Sequence, residues 1–198
     1  MSQPPQSQQV RPPAVAGLFY PAEPARLRAD VEAMLEAARP ATGDGAPAPA
    51  ALIVPHAGYV YSGPTAALAW ARAGALRGRV RRVVMLGPTH RVGVRALALP
   101  GCRAMDTPLG PVTVEVPPQI EALAATGLVV TRPDVHAAEH SLEVQLPFLA
   151  TVLPGADVVP LAVGWVAPDR AAEAIRPFLG SPDTLVVISS DLSHYLPQ

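Results

Sequence analysis

The sequence predicts an α/β domain, a three-layer αβα sandwich built around a mostly parallel central sheet. Three apolar runs carry the prediction, at 51–54, 83–86 and 185–188. Unbroken runs of this length, rich in β-branched residues, are typical of strands that are buried on both faces of a parallel sheet. Segments with helical spacing of apolar residues lie between the runs, which is the order that helices covering both faces require.

The remaining elements follow from local signals. Pro24 and an apolar face predict a helix over 24–38, after an extended arm at 12–20. A Gly- and Pro-rich loop at 42–49 precedes the first core strand. Expected next are a helix at 63–73, strands at 82–86, 95–99 and 112–116, a helix at 119–126, a strand at 128–131, a helix over 141–153 that Pro147 kinks or delays, a strand at 157–163, a helix at 169–179 and a strand at 184–188.

Length and composition limit the class of protein. The 198 residues suit one domain, which we place at 11–198 after a disordered leader at 1–10. A net charge of −1 gives no reason to expect nucleic acid or an anionic membrane as a partner. The single Cys102, the lack of an 18-residue apolar run and the lack of a secretory signal predict a cytoplasmic protein. The last strand lacks a following helix in this sequence, so we expect the C-terminal part of the domain to be missing.

Each of the three apolar runs leads into a polar segment that contains a histidine. His56 follows the first run, His90 the second, and Asp191 with His194 the third. Because the carboxyl ends of parallel strands share one edge, where open α/β folds bind ligands, we expect these side chains to converge. Neutral imidazole is the commonest protein ligand for Zn, Fe and Cu, so His56 and His90 are predicted metal ligands. Taken singly, each histidine has the alternative of a simple hydrogen bond to a backbone group.

Other polar residues are assigned roles around this centre. Asp191 and His194 can serve as ligands, as orienting partners or as an acid–base pair, with a helix N-cap as the alternative for Asp191. His140 is predicted to be an acid–base or substrate-binding group, in preference to a metal pair with Glu143. We therefore assign catalytic roles to His140, Asp191 and His194. His136, in the preceding loop, is expected to be solvated.

Several motifs along the chain resemble those of the Memo family, known in bacteria as AmmeMemoRadiSam system protein B. They are the segments 11–21, 55–63, 87–90, 107–110, 139–148 and 189–195. The family is similar in fold to the LigB-like class III extradiol dioxygenases, which use non-haem Fe(II). The resemblance therefore implies a LigB-like sandwich with a dioxygenase-like pocket.

The resemblance also implies roles for residues of this chain. His56 and His90 match the family's metal-ligand histidines, Asp191 and His194 match its pocket residues, and His140 matches the acid–base histidine of the dioxygenases. The remaining ligand of the family is a cysteine from a more C-terminal segment, which we expect beyond Gln198. The bacterial family name implies a radical-SAM protein and an AMMECR-type protein as partners.

Three functions remain open on the sequence. The first is a metal-dependent oxidoreductase that holds Fe(2+) or Cu and acts on an unknown substrate. The second is a binding protein or adaptor that recognises a phosphorylated or otherwise anionic small-molecule ligand, or a partner protein, in the same pocket without turnover. The Memo resemblance implies a phosphopeptide as one such ligand. The third is a Zn-dependent hydrolase, because imidazole ligands alone do not distinguish Zn from Fe.

Overall fold

A computed structural model of the chain describes residues 10–42 and 47–191. Its strands are β1 (Val10–Arg11), β2 (Ala51–Val54), β3 (Arg82–Pro88), β4 (Leu97–Leu99), β5 (Ala104–Met105), β6 (Val112–Thr113), β7 (Val129–Thr131), β8 (Asp157–Val163) and β9 (Thr184–Ser189). Six of them form the central sheet in the spatial order β2-β9-β3-β8-β4-β7. The first four run parallel to one another, and β4 and β7 run in the opposite direction. The predicted mostly parallel sheet is confirmed.

Helices cover both faces of this sheet. They are α1 (Pro24–Thr42), α2 (Tyr59–Ala73), α3 (Pro118–Ala125), α4 (Pro133–Ala137), α5 (Leu146–Val152) and α6 (Pro168–Ile175). Trp70 of α2 and Phe148 of α5 share one apolar cluster with Met85 of β3. Ile120 of α3 shares a second cluster with Val84, the preceding residue of the same strand. Because successive strand residues face opposite sides, the two clusters are the two interfaces of the predicted three-layer sandwich.

Burial of the three apolar runs agrees with prediction for two of them. Residues 83–87 of β3 and 184–187 of β9 are buried without interruption. The prediction is wrong for β2, where Ile53 is 63% exposed and Ala51 is also exposed. β2 lies at the edge of the sheet with one face towards solvent. A four-residue apolar run does not reveal this, because an aliphatic side chain can occupy either face of an edge strand.

Several element boundaries differ from those predicted. α2 begins at Tyr59, so Pro64 lies inside the helix and not at its start. α5 begins only at Leu146, with Pro147 in its first turn, which is the delayed start that proline favours. The strand predicted at 112–116 is reduced to β6, which joins β1 and β5 in a separate three-stranded sheet. α4 occupies a segment that was expected to be a loop.

The strands β2, β3, β8 and β9 end at one edge of the sheet, and backbone hydrogen bonds tie the following loops together. The N–H of Thr89 donates to the carbonyl of Val163 at 3.1 Å, and the N–H of Ser190 donates to that of Val54 at 2.7 Å. His194 and residues 1–9 of the predicted leader lie outside the described residues. Among the described helices, none has the length and apolar character needed to cross a membrane.

Candidate metal centre

Three histidine side chains meet at this edge of the sheet. His56 lies two residues after β2, His90 two residues after β3, and His140 follows α4. One ring nitrogen of each lies within 4.8 Å of those of the other two. The ring centroid of His56 is 5.2 Å from that of His90 and 5.6 Å from that of His140. The structure thus brings together the two predicted ligands and adds His140 as a third nitrogen donor.

His56 is held from both its backbone and its ring. Its N–H donates to Oδ1 of Asp191 at 2.5 Å, and its Nδ1 lies 3.1 Å from the hydroxyl of Ser189. That hydroxyl donates its only proton to the carbonyl of Ser141 at 2.6 Å, so it must accept from Nδ1. Nδ1 of His56 therefore carries the ring proton, and Nε2 keeps a lone pair. Oδ2 of Asp191 lies 3.8 Å from this Nε2.

His90 and His140 are both connected to Glu139. Oε2 of Glu139 accepts from the N–H of His90 at 2.5 Å, and Oε1 lies 2.9 Å from Nδ1 of the same histidine. Oε1 also accepts from the backbone N–H groups of His140 and Ser141, at 2.8 and 2.9 Å. This one carboxylate therefore contacts the loop after β3 and the segment that carries His140.

The ring of His140 is held mainly by stacking. Its centroid lies 4.5 Å from that of the His90 ring, which is stacked on it, and 4.5 Å from that of the Phe19 ring, which is tilted by 42°. Within residues 10–42 and 47–191, no hydrogen bond to a ring nitrogen of His140 is formed, although its Nδ1 lies 3.3 Å from Oε1 of Glu139. Phe19 therefore forms part of the wall of the cluster.

The segment 139–145 connects the loops that carry the histidines. The Ser141 hydroxyl donates to the carbonyl of Pro88 at 2.8 Å. The side-chain amide of Gln145 donates to the carbonyl of Pro55 at 2.8 Å, and its oxygen accepts from the indole N–H of Trp70. Sequence reasoning identified the segment 139–148 as a motif but assigned no individual role to Glu139, Ser141 or Gln145. Their signal is polarity within an otherwise apolar stretch, which indicates buried groups with fixed partners.

The electrostatic environment favours neutral imidazoles beside negative charge. Burial is the main cause that lowers the pKa of His56 and that of His140, and His90 lowers both further. The carboxylates of Asp191 beside His56 and of Glu139 beside His140 oppose this shift without reversing it. Burial alone would raise the pKa of Glu139, but the hydrogen bonds from His90 and Ser141 hold it at about 2. Neutral rings next to two carboxylates, those of Glu139 and Asp191, are suited to binding a cation.

Glu143, considered as a weak metal partner of His140, faces away from the cluster. Its carboxylate accepts from the guanidinium of Arg11 at 2.5 Å, from the hydroxyl of Tyr20 at 2.6 Å and from backbone N–H groups of the arm at 12–20. The neighbouring Tyr59 packs in the core and donates to the carbonyl of Val144. Glu143 is thus an anchor for the arm that presents Phe19.

The expectation that His136 is solvated is wrong. Its side chain is buried in α4, and its Nε2 lies 2.7 Å from the carbonyl oxygen of Ala98, to which it donates. The apparent loop is a short helix packed against β4, and this packing takes the imidazole out of water. Burial lowers the pKa of His136 to about 4.

The buried His136 predicts a specific loss of stability in acid. Its pKa in the folded protein is depressed below the unfolded value, so its contribution is present above about pH 6.5 and is lost as the pH falls towards 4. We expect the free energy of unfolding to fall by roughly 2–3 kcal/mol more between pH 7 and 4.5 in the wild type than in His136→Gln. Urea unfolding at both pH values measures the difference. Parallel losses in the two proteins would contradict the assignment.

The fold and the cluster define an α/β protein with a candidate metal centre at the carboxyl edge of its sheet. A family model described as Memo-like protein matches residues 11–198. A MEMO1 family protein of Sulfolobus acidocaldarius is 36% identical over 202 residues, which cover 95% of this chain and 71% of that protein. One from Aquifex aeolicus is 37% identical over 195 residues, covering 95% and 68%. The chain belongs to the Memo family.

Proposed function

We propose that this protein is a metal-binding redox protein that holds Fe(2+) or Cu on His56, His90 and His140. The observation that carries the proposal is the approach of three ring nitrogens to within 4.8 Å of one another. Imidazole nitrogen suits Fe, Cu and Zn, and three such ligands leave coordination positions open. An iron or copper ion bound there would supply one-electron chemistry and a place for substrate or dioxygen to bind.

The residues around the cluster support this use. The hydrogen bond from Nδ1 of His56 to Ser189 leaves its Nε2 lone pair available to a cation. Oδ2 of Asp191, 3.8 Å from that nitrogen, is placed to accept a proton from a group bound beside it. Phe19 covers His140 from one side and shields its ring from water. We therefore keep Asp191 as the proposed proton acceptor.

Metal analysis of purified protein tests the proposal. We expect about one equivalent of bound metal in the wild type. In His56→Ala and His90→Ala we expect the metal affinity to fall by more than the roughly 10–100-fold that is typical when a residue hydrogen-bonded to a metal ligand is lost. His136→Gln is the matched control, because that histidine is buried outside the cluster and should leave metal content unchanged. Equal metal content in all four proteins would refute the assignment.

His140→Ala decides between two roles of that residue. If His140 is the third ligand, the variant binds metal more weakly. If it keeps full metal affinity, His140 has the acid–base role predicted from the sequence. Reconstitution with Fe(2+), Cu and Zn, followed by an assay for oxygen uptake, separates a redox protein from the alternative Zn-dependent hydrolase.

A second candidate function is recognition of an anion without turnover. Arg91 lies next to the cluster and is exposed. Burial has the largest effect on the pKa of His140 and lowers it; Glu139 raises it, His90 lowers it, and the charge of Arg91 lowers it by a smaller amount. Within the described part of the chain, no carboxylate forms an ion pair with Arg91. A metal-free protein that binds inorganic phosphate after loss of His56 would favour this function. Partnership with radical-SAM and AMMECR-type proteins stays a prediction.

A further inference from the structure

We propose that Glu139 is a positioning residue, which fixes the orientation and tautomer of His90 and joins His90 to the segment that carries His140. The inference rests on the proposed metal centre, since its consequence is a preformed set of nitrogen donors. Among the described residues, the candidate metal group consists of His56, His90 and His140, and Glu139 contributes no ligand atom to it.

The first argument comes from the hydrogen bonds to Glu139. Its two oxygens lie within 3 Å of four nitrogens, which are the backbone nitrogens of His90, His140 and Ser141 and Nδ1 of His90. The three backbone groups can only donate, and an ionised carboxylate can only accept. Nδ1 of His90 must therefore carry the ring proton. Its Nε2 keeps the lone pair, as in His56.

The second argument is the difference in burial between the two partners. The side chain of His90 is 38% exposed, whereas that of Glu139 is 1% exposed. An exposed ring on a loop has several open rotamers, and a ligand that must find its rotamer after the metal arrives binds more weakly. Hydrogen bonds on both oxygens prevent the carboxylate from turning away, so the buried partner sets the position of the exposed one.

The third argument is that Glu139 contacts two of the three histidine segments. Oε1 accepts both from the His90 ring and from the backbone N–H of His140. The rings of these two histidines are stacked, with their centroids 4.5 Å apart and an interplanar angle of 29°. Because His140 has no ring hydrogen bond of its own within residues 10–42 and 47–191, its position depends on its backbone and on this stacking.

Glu143 offers a matched control four residues along the same segment. It is also a fully buried carboxylate with several hydrogen bonds, but they come from Arg11, Tyr20 and the arm, and none comes from a histidine of the cluster. If Glu139 acts only as another buried anchor, loss of either carboxylate should have the same effect on the site.

Nuclear magnetic resonance of the metal-free wild type provides the first test and needs no variant. Two-bond nitrogen–proton correlations report which ring nitrogen carries the proton. We expect the Nδ1–H form for His90. A predominant Nε2–H form would overturn the proposal, whether or not the protein later proves to bind metal.

Metal affinity provides the second test, by titration of Zn(II) or Co(II) into apo-protein. In Glu139→Gln the amide oxygen can replace only one carboxylate oxygen, and its NH2 group then faces a backbone donor. We expect a roughly 10–100-fold loss of affinity in this variant. In Glu143→Gln we expect a lower melting temperature with a clearly smaller change in affinity. Equal losses in the two variants, or none in Glu139→Gln, would overturn the positioning role. A wild type that binds no metal but shows the Nδ1–H form would refute the proposed function alone.

Discussion

Arg11→Met is expected to lower the free energy of unfolding by about 3–5 kcal/mol, the range found when one partner of a buried ion pair is removed. The guanidinium is buried, and it donates to the Glu143 carboxylate at 2.5 Å and to the carbonyls of His136 and Glu139 at 2.8 Å each. Methionine fills much of the same volume but donates nothing. The buried carboxylate of Glu143 and the carbonyl groups of His136 and Glu139 would all lose this hydrogen-bond donor.

Arg81→Met is the matched control for this prediction. Arg81 also pairs with a carboxylate, that of Asp183 at 2.8 Å, but its side chain is 80% exposed. Exposed pairs contribute roughly 0–1 kcal/mol, so this variant should unfold close to the wild type in urea. A similar loss of unfolding free energy in the two variants would contradict the predicted contribution of the buried pair of Arg11 and Glu143.

The Arg11 variant should also affect the site. Arg11 and Glu143 hold the arm at 12–20 against the segment 136–145, and the arm carries Phe19 onto the ring of His140. A looser arm would expose that ring to water. We therefore expect faster hydrogen exchange at the backbone N–H groups of Ala14 and Val15, which both donate to Glu143.

Gly164→Ala is expected to lower the free energy of unfolding by about 3 kcal/mol, the upper end of the usual range for overpacking. A Cβ at this position would lie 2.7 Å from the carbonyl carbon of Val94 and closer still to its oxygen. Backbone atoms cannot turn aside as a flexible side chain can, so one of the two loops must move. Val94 lies in the same loop as His90, between β3 and β4, and its carbonyl accepts from the N–H of Trp165 at 2.7 Å. Weaker metal binding should therefore accompany the loss of stability.

Gly74→Ala provides the comparison. Gly74 has helical dihedral angles, with φ −55° and ψ −31°, and a Cβ there would have no neighbour within 4 Å. Removing glycine from such a position typically stabilises a protein by about 0.4–1 kcal/mol, by reducing the conformational freedom of the unfolded chain. The melting temperature should therefore fall in Gly164→Ala and rise in Gly74→Ala. A neutral Gly164→Ala would contradict the close approach of the two loops.

The fold class was predictable because it depends on patterns that are local in the sequence. The apolar runs of β3 and β9 identified buried parallel strands, and His56 and His90 were placed at one edge because each follows such a run. Local patterns failed where burial depends on distant neighbours. Ile53 is exposed because β2 lies at the edge of the sheet, and His136 is buried because its segment folds as α4 against β4.

The sequence by itself determined that buried strands would alternate with helices and would present histidines at their carboxyl ends, because side-chain hydrophobicity and strand direction act over a few residues. Only the tertiary structure decided that His140 joins His56 and His90, and that Glu139 faces His90 while Glu143 faces the arm. Both carboxylates belong to one short segment, but His90, the distant partner of Glu139, and Arg11, the partner of Glu143, lie 49 and 132 residues away in the chain. Hydrogen bonds over such separations depend on how the layers pack, and this packing gives two similar residues different roles.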